Sequence, residues 1–221
     1  MLPFILGGLA ITSLAVWAFS GDDEVGSSPP KKRTILEKNF INLKHQINND
    51  VQKKIVIFGQ PGAGKSSLLL NITEFKCIPK PNTGQKTDTT NWHTKIKNSF
   101  FHKYQDLIYI DSPGYDTKFH PVLSYLNYFP FSSFDIFIFV INGKIHEADK
   151  KIIAKLKKIS LSKKILIIRN FSENLTDKEK EEITIDMEKN FQVKSEQLNF
   201  IFASNRTKEG INKIKKLISL L

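Results

Sequence analysis

Lys54-Ile-Val-Ile-Phe58 is a short, almost wholly apolar run that passes directly into Gly59-Gln60-Pro61-Gly62-Ala63-Gly64-Lys65-Ser66 and then into Ser67-Leu68-Leu69-Leu70. The first piece reads as a buried strand and the last as a helix. The eight residues between them follow GxxxxGK[ST] in the strand–turn–helix setting that gives this pattern its meaning. Glycines at these spacings let the backbone fold back so that successive N–H groups converge on phosphate oxygens. The following helix adds the partial positive charge of its N-terminus. Lys65 can reach the β- and γ-phosphates, and the Ser66 hydroxyl can ligate Mg²⁺. The segment therefore fixes a fold class as well as a ligand class, because it works only at the carboxyl edge of a parallel sheet.

A second apolar run, Asp106 to Ile110, ends in Asp111-Ser112-Pro113-Gly114. A carboxylate at a strand's carboxyl end lies where a Mg²⁺ on the phosphate loop would lie, and the Gly114 N–H can then touch a γ-phosphate. The remainder alternates. Strands are expected at Asp135–Ile141, Lys164–Ile168 and Leu198–Ala203, and helices at Glu147–Ile159, Thr176–Asn190 and Thr207–Leu220. Asn91 to Tyr104 is expected to supply an antiparallel edge strand. Near-continuous apolar strands alternating with helices predict an α/β three-layer sandwich around a mostly parallel six-stranded sheet.

Upstream of this region, Leu2 to Phe19 carries no charge. Eighteen helical residues span about 27 Å, close to the hydrocarbon thickness of a bilayer. A transmembrane helix over residues 1–20 is the expectation; a cleaved signal peptide and a buried core helix are the other readings. Residues 21–33 read as a linker, with Gly26-Ser27-Ser28-Pro29-Pro30 followed by the basic cluster Lys31-Lys32-Arg33. That cluster predicts a single-pass membrane protein whose bulk is cytoplasmic. Residues 34–50 read as an amphipathic helix, with Leu36, Phe40, Leu43 and Ile47 in one stripe and a Thr34/Glu37 capping box. The stripe packs on the following domain, at 51–221, or serves self-association or membrane contact.

Composition narrows the function classes. The 221 residues include 17 Phe and are 40% apolar, enough to fill a core. The lone Cys77 excludes a disulfide framework and a thiolate zinc site. The net charge of +11 raises a nucleic-acid or ribosome partner. The lysines are spread over helix faces, such as Lys150, Lys151, Lys155, Lys157 and Lys158, and no nucleic-acid motif is present, so nucleic acid is not an expected partner.

On the phosphate loop, the Asp111–Gly114 turn and the strand alternation, residues 52 to 221 resemble a translation-factor-like P-loop GTPase domain. The pattern is similar to the immunity-related (dynamin-like) and the Era/TrmE-like bacterial GTPases. An N-terminal anchor on one such domain resembles, in architecture alone, the membrane-anchored β-subunit of the signal-recognition-particle receptor. The resemblance implies GTP/GDP as ligand and Mg²⁺ as cofactor, with Gly59, Gln60, Pro61, Gly62, Ala63, Gly64, Lys65, Ser66, Ser67, Asp111 and Gly114 on the nucleotide. It also implies a switch threonine in Thr87-Asp88-Thr89-Thr90, with Thr89 favoured over Thr90. Ser66, Thr89 and Asp111 would then attend the metal, and Lys65 and Thr89 the chemistry.

The base-reading motifs depart from the family pattern. Asn170 fits the first position of Asn/Thr-Lys-x-Asp; Phe171 replaces the lysine and Glu173 the aspartate that accepts both guanine N–H groups. Ser204 and Asn205 stand in the last motif, usually Ser-Ala-Lys. The residue after Asp-x-x-Gly, a water-orienting glutamine in many relatives, is Tyr115, and no arginine finger is evident. Slow hydrolysis is therefore expected, with a second copy of the chain or a regulator completing the site. The expectation is a membrane-anchored GTPase switch. The alternatives are a non-hydrolysing nucleotide-dependent membrane tether and a general purine nucleotide (ATP) binder.

Overall fold

Ile55, Val56, Ile57 and Phe58 are all buried, which requires packed helices on both faces of the strand that carries them. The computed structural model describes residues 32–84, 91–159, 164–194 and 198–220. Its elements are α1 (Ile35–Asn48), β1 (Lys53–Gly59), α2 (Lys65–Ile72), β2 (Phe101–Tyr104), β3 (Leu107–Asp111), α3 (Val122–Tyr128), β4 (Ile136–Ile141), α4 (Glu147–Ile159), β5 (Lys164–Arg169), α5 (Asp177–Phe191), β6 (Phe200–Phe202) and α6 (Ile211–Ser219). The strands form one sheet in the order β2-β3-β1-β4-β5-β6. All neighbours are parallel except β2 and β3, which pair antiparallel at one edge.

Side chains alternate across the strands, and each face builds its own core. Val56, Phe58, Phe137, Phe139 and Ile167 face α1, α3, α4 and α5. Ile55, Ile57, Ile138, Val140 and Ile168 face α2 and α6. The first face is crowded with aromatics. Phe58 lies 4.8 Å from Phe129 and 5.6 Å from Phe131, and Phe40 of α1 lies 4.8 Å from Tyr125, centroid to centroid. The aromatic run Tyr125–Phe131 is thus largely core, with Tyr125, Phe129 and Phe131 buried.

The apolar stripe of α1 (Leu36, Phe40, Leu43, Ile47) is buried in this layer. Its capping box is formed, Glu37 N donating to Thr34 Oγ1 at 3.2 Å and Thr34 N to Glu37 Oε2 at 3.0 Å. Arg33–Leu221, α1 included, makes one compact unit. Among the described residues no helix is long and apolar enough to cross a membrane. The run Leu2–Phe19 lies outside the described residues, as do Thr87–Thr90 with the expected Thr89.

Two expectations change. The edge strand begins at Phe101, not Asn91. The backbone of Trp92–Asn98 is engaged by amide side chains of α1 instead of by a ladder: Asn39 donates to the Trp92 and Lys95 carbonyls at 2.7 and 2.9 Å, Asn42 to Lys97 O at 2.7 Å, and Gln46 to Asn98 O at 2.9 Å. The last helix begins at Ile211, not Thr207, because Ser204 Oγ accepts from Arg206 N and Thr207 N and holds that stretch in a turn.

Candidate nucleotide site

The loop Gly59–Ser66 leaves the carboxyl end of β1 and enters α2. The packing is tight enough to prohibit a side chain at Gly64 of the loop and at Gly114 beside it. Gly64 has φ +87°, and a Cβ there would lie 2.2 Å from Asn170 Nδ2. A Cβ on Gly114 would lie 2.5 Å from Pro61 N, so the Asp111–Gly114 turn sits directly against the loop. Lys65 is buried, and its Nζ donates back to Gln60 O at 2.9 Å, so the lysine straddles the loop.

Asp111 ends β3, the parallel neighbour of β1, and is 2% exposed. Its Oδ2 accepts a hydrogen bond from Ser66 Oγ at 2.5 Å. Two hard oxygen groups converge here, one from the start of α2 and one from the end of β3. Among the described residues no cluster of three or more His, Cys, Asp or Glu could hold a metal by itself. That pairing fits Mg²⁺, which takes few protein oxygens and completes its shell with water and phosphate. It does not fit an ion that needs an all-protein cage.

The residues expected to face the base come together against Ala63 and Gly64 of the loop. Asn170, at the end of β5, donates from Nδ2 to Ala63 O at 2.8 Å, and Asn205 Nδ2 donates to Gly64 O at 3.1 Å. Phe171, Glu173 and Asn205 line a cavity of about 410 Å³ with Ser67, Arg206 and Lys208. Phe171 takes a left-handed backbone (φ +58°) and leaves its ring 43% exposed on this cavity. The Glu173 side chain is 12% exposed, with Oε1 3.5 Å from Arg206 Nε. Hydrogen bonds from its own backbone N–H and from Ser204 hold its carboxyl below the usual range. Asn170 Oδ1 and Glu173 Oε2 are buried without hydrogen-bond partners. Buried acceptors of this kind are rare unless a ligand supplies the donors.

Sequence reading missed one cluster. Tyr115 is fully buried, and its hydroxyl donates to Asp149 Oδ1 in the first turn of α4. Asp149 Oδ2 accepts from Gln60 Nε2 and from His146 N, each at 2.7 Å. Burial raises the Asp149 carboxyl, against these hydrogen bonds, and pushes the Tyr115 hydroxyl well above its ordinary value. The available signal was an aspartate two residues after Glu147 in the first turn of α4, which reads first as a helix-dipole partner. His120 is likewise fully buried, with Nε2 3.1 Å from His93 Nδ1.

The family model described as 50S ribosome-binding GTPase matches residues 54–171, more than half of the chain. No curated protein matches the sequence. Among solved structures, a probable GTP-binding protein engB superposes with a TM-score of 0.52 at 15% identity, over 75% of this chain and 96% of that one. A bacterial selenocysteine-specific elongation factor EF-Sec gives 0.50 at 18% identity, over 77% of this chain but 28% of its own length. At such identities the likeness concerns the fold alone. The matched region runs from β1 through the phosphate loop, Asp111 and Asn170 to Phe171, and the chain belongs to the 50S ribosome-binding GTPase family.

Proposed function

We propose that this chain is a membrane-anchored GTP-binding protein that hydrolyses GTP slowly to GDP and phosphate and acts as a nucleotide-dependent switch. The observation that carries the reading is the convergence of Ser66 and Asp111 beside a phosphate loop straddled by Lys65. The residues of Gly59–Ser67 would cradle the α- and β-phosphates through backbone N–H groups, and Lys65 would offset charge on the outer ones. Ser66 and Asp111 would hold Mg²⁺, which supplies charge neutralisation when bound. Thr89 is the proposed switch threonine, and Gly114 the backbone contact to the terminal phosphate. Asn170, Ser204 and Asn205 would shape the base site, with Phe171 against the base face. Guanine presents N–H donors to the Glu173 carboxylate, whereas adenine presents a ring acceptor at the equivalent edge. The uncapped Glu173 Oε2 therefore supports guanine.

Slow turnover is supported by Tyr115. Its hydroxyl is bound to Asp149 and its ring is buried, so it presents nothing to an attacking water. A second copy of the chain or a regulator would supply the missing charge. The run Leu2–Phe19, followed by Lys31-Lys32-Arg33, supports a single-pass anchor with the GTPase domain cytoplasmic. Phosphate release from GTP by the full chain in lipid nanodiscs, measured across protein concentrations, tests this. Slow release that rises with protein density or with added cell extract is expected. Fast release independent of concentration contradicts slow intrinsic turnover, and absence of release with GTP bound favours a non-hydrolysing tether.

A further inference from the structure

The amide side chains of α1 reach the nucleotide site through one short segment. Asn39 is 0% exposed and makes three hydrogen bonds to that segment: from Nδ2 to Trp92 O and Lys95 O, and at Oδ1 from Lys97 N at 2.9 Å. Asn42 adds Lys97 O at 2.7 Å. Residues 39, 42 and 46 share one helix face, so the whole set moves with α1. Lys97 is thereby gripped at both its N–H and its carbonyl. Its ammonium sits 5.6 Å from the Trp92 ring centroid and 6.0 Å from that of Phe100. Lys97, Trp92 and Phe100 line a cavity of about 320 Å³ that Asp111 also lines. Burial lowers the Lys97 ammonium from its ordinary value, and the Asp111 charge opposes that shift.

We infer that Asn39 is a positioning residue for the nucleotide site: by fixing the Trp92–Lys97 backbone it holds the Lys97 ammonium on the cavity shared with Asp111, where that charge favours a bound triphosphate. The inference rests on the nucleotide-site reading of Ser66 and Asp111. A buried polar side chain with every bond satisfied specifies one arrangement of its partners, because any shift leaves a buried group unpaired. A helix that packs by its apolar stripe alone could slide without that penalty. Lys97 also supplies, within the chain, a cation on the same cavity as the carboxylate at which the metal site is proposed. Such a charge acts on the added charge of the terminal phosphate more than on a diphosphate.

The test is stopped-flow release of a fluorescent GTP analogue and of fluorescent GDP from the full chain in Mg²⁺, for wild type, Asn39→Ala, Lys97→Met and the double variant. Release of the triphosphate analogue is expected to rise about tenfold in each single variant, as for loss of one charge-assisted contact. GDP release should change by less than about twofold, and the double variant should be no faster than Lys97→Met, because residues acting through one another are non-additive. Amide exchange at Lys97 should rise in Asn39→Ala with no nucleotide added. If Asn39→Ala does not fold, Asn42→Ala, which removes from a half-buried position the bond to Lys97 O and one from Gln46 Nε2, replaces it with the same expectations. Equal acceleration of both nucleotides, or additive effects, overturns the inference and leaves Asn39 a structural residue. If wild type binds neither nucleotide, the nucleotide-site reading fails and the inference with it; if wild type binds and the variants release at the wild-type rate, the inference fails alone.

Discussion

Ser66 Oγ and Asp111 Oδ2 lie 2.5 Å apart, joined by a hydrogen bond between the start of α2 and the end of β3. The contact exists because β1 and β3 are parallel neighbours, with Ile57 in register with Asp111. Parallel pairing brings both carboxyl ends to the same edge, so a loop leaving one strand meets a carboxylate ending the other. Ser66→Ala removes one of the two oxygens proposed for Mg²⁺ and leaves the fold's apolar layers untouched. Calorimetry should show GTP binding weakened about tenfold or more in Mg²⁺ and nearly unchanged in EDTA. Equal weakening in both would place Ser66 outside the metal site.

Tyr115→Phe deletes the hydroxyl that donates to Asp149. Urea unfolding should show a loss of about 1–3 kcal/mol at pH 8, because a buried carboxylate loses a donor. The sign with pH is set by Asp149. Burial raises its folded carboxyl above the unfolded one, so folding takes up a proton, and stability falls as pH rises through the folded value. Removing a hydrogen bond that lowers it drives it higher still. The penalty is felt only where Asp149 is ionised, so the loss at pH 4.5 should be smaller than at pH 8. A loss independent of pH would mean that the hydroxyl does not act on the Asp149 charge.

The proposed base site assigns two separate tasks to Phe171 and Glu173, which line one cavity. Stacking on an aromatic face is blind to which base is present and amounts to about 1–3 kcal/mol. Phe171→Ala should therefore weaken GDP and any residual ADP binding alike. Glu173→Gln keeps the shape but replaces the charge-assisted acceptor, so it should weaken GDP by about tenfold or more and leave ADP unchanged. Fluorescence titration of both nucleotides against both variants checks the division. A selective effect of Phe171→Ala on GDP would reverse the assignment.

The sheet was legible because its signals are local. The apolar runs at β1, β3, β4 and β5 are continuous, and the glycine loop requires a helix directly after β1. The Thr34/Glu37 capping box was equally plain, since it needs only a spacing of three residues, and it is formed; the structure adds a second, Thr176/Glu179. The features that escaped depended on tertiary partners. Alternation at Trp92, Thr94 and Ile96 reads as a strand, and nothing local says that Asn39, more than fifty positions earlier, takes the backbone groups a strand would use. His120 reads as a loop residue until His93 is beside it. Asp149 reads as a helix-start acid until Tyr115 and Gln60 converge on it. At the proposed site, the phosphate half is a contiguous motif, whereas the base half is scattered over Asn170, Phe171, Glu173, Ser204 and Asn205, in two motifs that both depart from the family pattern.

The phosphate loop and the altered base motif form, on the proposed reading, one site for guanine nucleotides. The most direct test of that reading loads the chain with a fluorescent GTP analogue in Mg²⁺ and displaces it with GTP, GDP or ATP. GTP and GDP are predicted to displace the analogue at concentrations at which ATP displaces none. Equal displacement by ATP would contradict the base-site assignment, and failure of the analogue to bind at all would contradict the nucleotide site itself.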